Sequence, residues 1–265
     1  MKRIILILII LCILIISLLL NKKKDNNTKQ NIFENIPYYK EKLLKEYEDY
    51  YQKTNYAIEK VVMDVNIGLN KPFYEECKAS KYLNTNYILV NKYNYLDKDY
   101  VPNNLVILDK YSKPGIKLNK EAYENFIEMA SDAENNNLNL RIISAYRPYE
   151  YQEKLYNNYL KHDTKEKVDT YSARPGFSEH QTGLVIDIDN IKKDYNYFHL
   201  TDEYAWMQNN SYKYGFILRY PLGKEKITGY KYESWHYRYV GKDIAKYIYD
   251  NNITFEEYYY QFIDK

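Results

Sequence analysis

Cysteine is scarce in this chain, which has only Cys12 and Cys77. Cys12 lies inside an apolar N-terminal run and Cys77 far beyond it, so no disulfide is expected between them and the core must hold the fold. An excess of one charge is also lacking, because 38 Lys and Arg nearly balance 36 Asp and Glu. Without a broad basic surface, no nucleic-acid partner is expected.

Tyrosine is abundant instead, with 35 residues. The tyrosines are spread along the whole chain together with many Asn, Lys and Ile residues, which indicates a compositional drift. We therefore expect the tyrosines to carry little functional information.

The long apolar run at the N-terminus extends from Ile4 to Leu20 and has basic residues on both sides. It is short for a membrane-spanning helix, yet longer than the apolar part of a cleaved signal, and no small-residue cleavage site follows it. Residues 1–20 are therefore interpreted as a signal anchor, a transmembrane helix that attaches the protein to a membrane. A cleaved signal sequence is the alternative, and the flanking charges leave the orientation open.

Two segments separate this run from the main domain. Residues 21–37 begin with a polar stretch that cannot bury a core, and they are expected to form a flexible tether. Residues 38–80 have apolar side chains at helical spacing from about Tyr38 to Met63, which predicts an amphipathic stalk helix that packs on the domain. A partner-binding role of this stalk is the alternative.

The main domain is expected over residues 81–265. Its helices are predicted over 120–135, 149–158 and 243–249 and around Trp206, and its strands over 138–144 and 184–188. Because helices and short strands mix without regular alternation, the predicted fold class is α+β.

Histidine is rare, and two of the four residues lie in dense polar clusters. In the first cluster, His180 is followed by Gly183 and by a predicted strand in which Asp187 lies among aliphatic residues. A buried carboxylate needs a partner or a metal. If the chain turns at Gly183, His180 and Asp187 can meet at one ion, and zinc accepts such ligands. Asp189 lies on the same strand face, so spacing alone leaves the choice of aspartate open.

The second cluster places Glu233 three residues before His236. These side chains face the same way on a local turn, but not on a strand. Given a turn, His236 can bind the metal while Glu233 acts on a water molecule as general base. His162 lies in a charged run and is expected to be solvated, and His199 is expected to have a capping or core role.

A third cluster, residues 144–152, lies where a predicted strand ends and a helix begins. Arg147 can bind a carboxylate or a developing oxyanion there, and Gln152 follows one turn later. A surface arginine beside a helix-start proline is the alternative.

Together the clusters resemble the D-alanyl-D-alanine carboxypeptidases of the VanY type, in the M15 family of zinc peptidases. The family signature Ser-x-His-x-x-Gly-x-x-x-Asp is matched by Ser178, His180, Gly183 and Asp187. This match selects Asp187 over Asp189.

The other two clusters match as well, and the resemblance covers roughly residues 87–241. The signature Glu-x-Trp-His is matched by Glu233, Trp235 and His236. A Tyr-Arg element with a downstream Gln is matched by Tyr146, Arg147 and Gln152.

The resemblance implies a small antiparallel sheet flanked by helices, with one zinc ion at the open face of the sheet. It implies that His180, Asp187 and His236 hold the zinc, with a water molecule as fourth ligand. Glu233 would then be the general base, and Arg147 would stabilise the oxyanion.

The implied substrate is a peptidoglycan stem peptide, from which the terminal D-alanine is removed. Ser178 and Gln152 are expected to contact its terminal carboxylate, and Tyr146 and Trp235 are expected as further substrate contacts. With the anchor, this predicts a single-pass protein of the cell membrane whose catalytic domain is extracytoplasmic, in a bacterial cell envelope. The alternatives are an L,D-carboxypeptidase on tetrapeptide stems, a non-catalytic peptidoglycan-binding protein, and an interaction protein acting through the stalk.

Overall fold

The computed structural model describes residues 31–190 and 194–264. In these ranges the α-helices are α1 (Leu44–Thr54), α2 (Ile58–Ile67), α3 (Lys120–Asn135), α4 (Tyr149–Tyr159), α5 (Lys165–Val168), α6 (Asp202–Asn210), α7 (Glu225–Thr228), α8 (Lys242–Asn251) and α9 (Phe255–Tyr258). The strands are β1 (Lys78–Ala79), β2 (Asn94–Tyr95), β3 (Leu105–Ile107), β4 (Lys117–Asn119), β5 (Arg141–Ser144), β6 (Val185–Asp189), β7 (Phe216–Leu218) and β8 (His236–Tyr239).

The segment predicted as one stalk helix forms two helices, α1 and α2. Asn55 ends α1 because it adopts the left-handed conformation, with φ of 53°. The two helices pack on each other around the fully buried Tyr47. Phe33, which was expected in the flexible tether, is buried against Tyr47 and Tyr51. Residues 31–37 are therefore folded onto the helices, and the tether prediction does not describe them.

The predicted localisation in the cell membrane is wrong for the part of the chain that the structure describes. No helix in residues 31–190 and 194–264 is long and apolar enough to cross a bilayer. The predicted transmembrane helix over residues 1–20, and the tether up to residue 30, lie outside the described residues.

The main sheet is antiparallel and has the strand order β5, β6, β8, β7. Two smaller pairings, β1 with β2 and β3 with β4, lie beside it. The sheet and the helices around it confirm the predicted α+β class. Strand β5 begins at Arg141 and not at residue 138, because Asn137 is left-handed and ends the preceding turn.

Helix α3 covers one face of the sheet and forms the main core with it, over the range that the sequence predicted. Phe126 and Met129 of α3 are fully buried in the same cluster as Ile186 and Ile188 of β6. Because successive side chains of a strand alternate between faces, Asp187 between these isoleucines points to the opposite face of the sheet. The packing of α3 on one face of the sheet thereby leaves the opposite face for polar side chains such as Asp187.

Two glycines with the same backbone conformation allow a matched stability test. Gly215 and Gly223 have φ of +82° and +83°. A Cβ on Gly215 would lie 2.6 Å from the Tyr239 ring and 3.0 Å from the Gly241 backbone, whereas a Cβ on Gly223 would meet no atom within 4 Å. Both alanine variants should bear left-handed strain of about 1–2 kcal/mol. Gly215→Ala should lose about 1–3 kcal/mol more, because its neighbours cannot move away.

Chemical denaturation followed by circular dichroism measures both losses of unfolding free energy. Equal losses in the two variants would contradict the close approach of β8 and the chain after it to Gly215.

Candidate active site

The register of the main sheet places two of the predicted metal ligands side by side. Asp187 of β6 is the direct antiparallel partner of His236, the first residue of β8. Directly opposed residues project from the same face of a sheet. As a result, Asp187 Oδ1 lies 3.3 Å from His236 Nδ1, on the face away from α3.

A turn of 3-10 helix, Glu179–Thr182, brings His180 to the same place. The turn ends at Gly183, whose φ of 68° is left-handed. His180 Nδ1 lies 2.6 Å from the Ala145 carbonyl oxygen, just after β5. Because a carbonyl oxygen only accepts, Nδ1 donates, and Nε2 of the neutral ring keeps its lone pair. Nε2 lies 3.4 Å from Asp187 Oδ2.

The three side chains together fit a metal ion. One potential ligand atom from each of His180, Asp187 and His236 lies within 4.8 Å of the others, and all three residues are buried. His180 Nε2 and Asp187 Oδ1 find no hydrogen-bond partner among the described residues. Unpartnered buried polar atoms that converge on one point are unusual without an ion or water between them. Two nitrogens and one oxygen are a ligand set that zinc accepts.

The remaining candidates for this site lie elsewhere. Asp189 accepts a hydrogen bond from the backbone N–H of Asn190 at 2.8 Å and does not belong to the cluster. His162 is exposed, as predicted. His199 is exposed as well, so the expectation of a core role for it is wrong.

The charges in the cluster are tightly coupled. Burial and the nearby Arg147 lower the pKa of His180 to about 4. Burial opposes the charge of Asp187, but the two histidines hold the pKa of its carboxyl well below the usual value. Burial also opposes the charge of His236, yet the Asp187 and Glu179 carboxylates raise the pKa of His236 to about 9. Asp187 and His236 therefore favour their charged forms in the metal-free protein, whereas His180 favours its neutral form.

Glu233 lies at the edge of this cluster on a local turn. The backbone N–H of His236 donates to the Glu233 carbonyl oxygen at 3.4 Å, which confirms the turn that the shared role requires. Glu233 Oε2 lies 3.3 Å from His236 Nδ1. Burial, together with the Asp187 charge, raises the pKa of Glu233 to about 7.

The cluster opens into a cavity of about 300 Å³. Four of the predicted contact residues line it: Arg147, Gln152, Ser178 and Trp235. Arg147 Nε has no hydrogen-bond partner among the described residues. Tyr146 is half-buried and is not part of the cavity wall.

The orientation of the Gln152 amide limits what it can bind. Its Nε2 donates to the Ala173 carbonyl oxygen at 2.7 Å and to Ser172 Oγ at 3.3 Å, whereas its Oε1 has no partner among the described residues. Only the acceptor of this amide is therefore available. An acceptor repels a carboxylate, so the predicted contact between Gln152 and a terminal carboxylate would require the amide to turn over, and the contact stays a prediction.

Sequence reasoning missed the aromatic wall of the cavity. Six tyrosines line it: Tyr151, Tyr159, Tyr171, Tyr195, Tyr220 and Tyr230. Tyr195 meets Trp235 edge to face, with ring centroids 5.0 Å apart. Among 35 tyrosines, no signal in the sequence distinguishes these six.

Sequence reasoning also missed Glu179, whose side chain is fully buried. Its Oε1 accepts from Arg219 Nε at 2.9 Å and from Arg238 at 3.1 Å. Burial opposes its charge, but the two guanidinium groups lower the pKa of Glu179 to about 2. Its position directly before His180 was the available signal.

A buried cluster of two histidines and an aspartate, with a glutamate beside it in a cavity, is typical of metal-dependent hydrolases. The family model of VanY, described as D-alanyl-D-alanine carboxypeptidase, matches residues 115–242, which include all of these side chains. The chain is 36% identical over 182 residues to the bifunctional D-Ala-D-Ala dipeptidase and D-Ala-D-Ala carboxypeptidase VanXYC of Enterococcus gallinarum. That match covers 64% of this chain and 92% of VanXYC. The chain belongs to the VanY family.

Solved structures agree with this assignment. The LdcB LD-carboxypeptidase superposes with a TM-score of 0.66 at 38% identity, over 71% of this chain and 91% of LdcB. The vancomycin resistance D,D-pentapeptidase VanY from a VanB-type cassette, in complex with Zn(II), superposes with a TM-score of 0.57 at 33% identity. This second match covers 65% of this chain and 98% of that chain.

Three further curated relatives, from Bacillus subtilis, Enterococcus faecalis and Enterococcus faecium, are matched over only part of their length. The matches cover 66%, 46% and 57% of these proteins. This chain therefore spans about half to two thirds of each of them.

The raised pKa of Glu233 predicts a pH-dependent stability of the metal-free protein. The folded state binds the proton of the Glu233 carboxyl more tightly than the unfolded state does. The resulting contribution to the free energy of unfolding is therefore complete below about pH 4.5 and is lost as the pH rises through about 7. Glu233→Gln should therefore reduce the fall in unfolding free energy between pH 4.5 and pH 8 by about 1–3 kcal/mol.

Denaturant titrations in the presence of a chelator measure this difference. Glu150→Gln, at an exposed position, is the control and should leave the pH dependence unchanged. A Glu233→Gln protein with the wild-type pH dependence would refute the assignment of a raised pKa to this carboxyl.

Proposed function

We propose that this protein is a zinc-dependent D-alanyl-D-alanine carboxypeptidase that removes the terminal D-alanine from peptidoglycan stem peptides. The observation that carries the proposal is the convergence of His180, Asp187 and His236 on one point, with Glu233 at its edge. The names of the VanY family and of VanXYC support the substrate class. The Zn(II) complex of the similar VanY structure supports the choice of metal.

His180 Nε2, a carboxylate oxygen of Asp187 and His236 Nδ1 would hold the zinc. When bound, zinc supplies Lewis-acid chemistry that polarises a peptide carbonyl and acidifies a water molecule. The hydrogen bond from His180 Nδ1 to the Ala145 carbonyl oxygen holds the ring in the tautomer that this role requires.

Glu233 is the proposed general base. A carboxylate beside the proposed metal ligands can take a proton from water and return it to the leaving amine. The turn before β8 holds this carboxylate 3.3 Å from the proposed ligand atom His236 Nδ1, and so close to the proposed metal position.

Arg147 and Ser178 are the proposed contacts for the anionic groups of the substrate. Arg147 lines the cavity, and its Nε has no hydrogen-bond partner among the described residues, which supports binding of the terminal carboxylate or of the developing oxyanion. Gln152 offers an acceptor, so its proposed partner is a substrate N–H. Trp235 and Tyr195 supply an apolar wall against which the stem peptide can pack.

An L,D-carboxypeptidase activity on tetrapeptide stems is the second candidate. The similarity to the LdcB LD-carboxypeptidase favours it, since the match covers 91% of the chain in that solved structure. Both activities would use the same metal ligands and the same base. A non-catalytic peptidoglycan-binding protein predicts that a ligand or the base is missing, and all four side chains are present.

Release of D-alanine from matched pentapeptide and tetrapeptide stems tests the specificity. The proposed D,D-activity predicts release from the pentapeptide that ends in D-Ala-D-Ala, and loss of this release after zinc is removed with a chelator. Release from the tetrapeptide alone would replace the first candidate by the second. No release from either substrate by the zinc-loaded protein would contradict both.

Two variants separate metal binding from proton transfer. Glu233→Gln should keep the zinc but lower kcat by about 10²-fold or more, because an amide cannot accept the proton. His236→Ala should lose both zinc and turnover, because it removes a ligand.

Zinc content by mass spectrometry, measured beside peptide release, decides between these outcomes. Exposed His162, replaced by Ala, is the control and should keep both properties. Turnover of Glu233→Gln near the wild-type rate would show that another group is the base.

A further inference from the structure

Two buried polar atoms behind the proposed metal site face each other, one on Glu179 and one on His236. Glu179 Oε2 lies 3.9 Å from His236 Nε2. Neither atom has a hydrogen-bond partner among the described residues. The Glu179 side chain is fully buried, and that of His236 is only 6% exposed. Water therefore cannot easily replace the missing partner of either atom.

The surroundings of the His236 ring distinguish its two nitrogens. Nδ1 faces Asp187 and Glu233, at 3.3 Å from each carboxylate. Nε2 faces Glu179 on the other side of the ring. If Nδ1 supplies the lone pair to a metal, Nε2 must carry the hydrogen, and a buried N–H needs an acceptor. The Tyr220 ring packs against the imidazole, with centroids 4.7 Å apart, and restricts its rotation.

Glu179 is held rigidly from the opposite direction. Its Oε1 accepts hydrogen bonds from both Arg219 and Arg238, whose side chains are fully buried. Arg219 also forms two hydrogen bonds to Glu256 of α9, at 2.9 and 2.5 Å. Because Oε1 is fixed by two guanidinium groups, the direction of Oε2 toward His236 is fixed as well.

We propose that Glu179 is a positioning residue that accepts the Nε2–H of His236 and so aims Nδ1 at the metal. A shift of about 1 Å brings the two atoms to ordinary hydrogen-bond distance. Carboxylates that hold the distal N–H of a ligating histidine fix its tautomer and orientation. The same 3-10 turn then supplies the ligand His180 and, from Glu179 directly before it, the acceptor that orients His236. This inference rests on the proposed zinc site.

Glu179→Gln tests the role, with Glu256→Gln as the matched control. Each change removes one carboxylate from the same buried arginine cluster, but only Glu179 faces His236. A glutamine at position 179 cannot offer acceptors to the arginines and to Nε2–H at once, because one end of its amide only donates. The zinc affinity of Glu179→Gln, measured by competition with a chelating dye, should fall about 10- to 100-fold.

Glu256→Gln should keep its zinc affinity within about 3-fold of wild type. The visible spectrum of the cobalt-substituted protein should change in Glu179→Gln and stay unchanged in Glu256→Gln. Equal zinc affinities of the two variants would overturn the inference. A wild-type protein without zinc affinity would overturn the proposed function together with it, so the two failures are distinguishable.

A measurement on the zinc-loaded wild-type protein covers the case in which Glu179→Gln does not fold. Long-range ¹H–¹⁵N NMR identifies the protonated nitrogen of His236. The inference predicts a slowly exchanging proton on Nε2 and metal on Nδ1. A proton on Nδ1, or a rapidly exchanging Nε2 proton, would contradict it.

Discussion

The burial of the Asp187 carboxylate against two histidines is the constraint on which the rest of the site depends. The carboxylate projects from a strand whose neighbouring isoleucines lie in the core, so it cannot turn toward solvent without disrupting the sheet. A lone buried charge of this kind costs several kcal/mol. His180 and His236 compensate for that cost in the metal-free protein, and a divalent cation would do so more completely. The sheet register thus creates the free-energy cost of burying the Asp187 charge, and it also brings together the side chains that can bind a metal ion.

A second layer of charge lies behind the ligands. Glu179, Arg219, Arg238 and Glu256 are buried together and carry balanced charges, so they can be far from water without a net uncompensated charge. This cluster connects the turn that bears His180 to the strand that bears His236 and to the C-terminal helix α9. Residues beyond the family-model match at 242 therefore contribute to the support of the site.

Sequence patterns predicted the elements that depend on local interactions. Helix α3 has a continuous apolar stripe and a capping Asn119, and its predicted bounds are those observed. The family signatures predicted the three metal ligands, whereas residue spacing alone did not distinguish Asp187 from Asp189 as a ligand. The structure separates them by tertiary contact, because only Asp187 is opposed to His236. Glu179 and the cavity tyrosines depend on contacts between distant segments, and no local pattern reveals them. The predicted stalk helix ends at Asn55, which adopts the left-handed backbone conformation. The hydrophobic periodicity of the sequence does not encode this conformation.

X-ray absorption of the zinc-loaded protein tests the assignment of the metal ligands, since it reports the atoms around the metal. Coordination by His180, Asp187 and His236 predicts nitrogen and oxygen neighbours at about 2.0–2.2 Å and the outer-shell scattering of two imidazoles. Neither His180→Ala nor His236→Ala should hold zinc in this environment, because each variant lacks one ligand. A sulfur neighbour at about 2.3 Å, or a spectrum that neither substitution changes, would contradict the assignment of His180, Asp187 and His236 as the metal ligands.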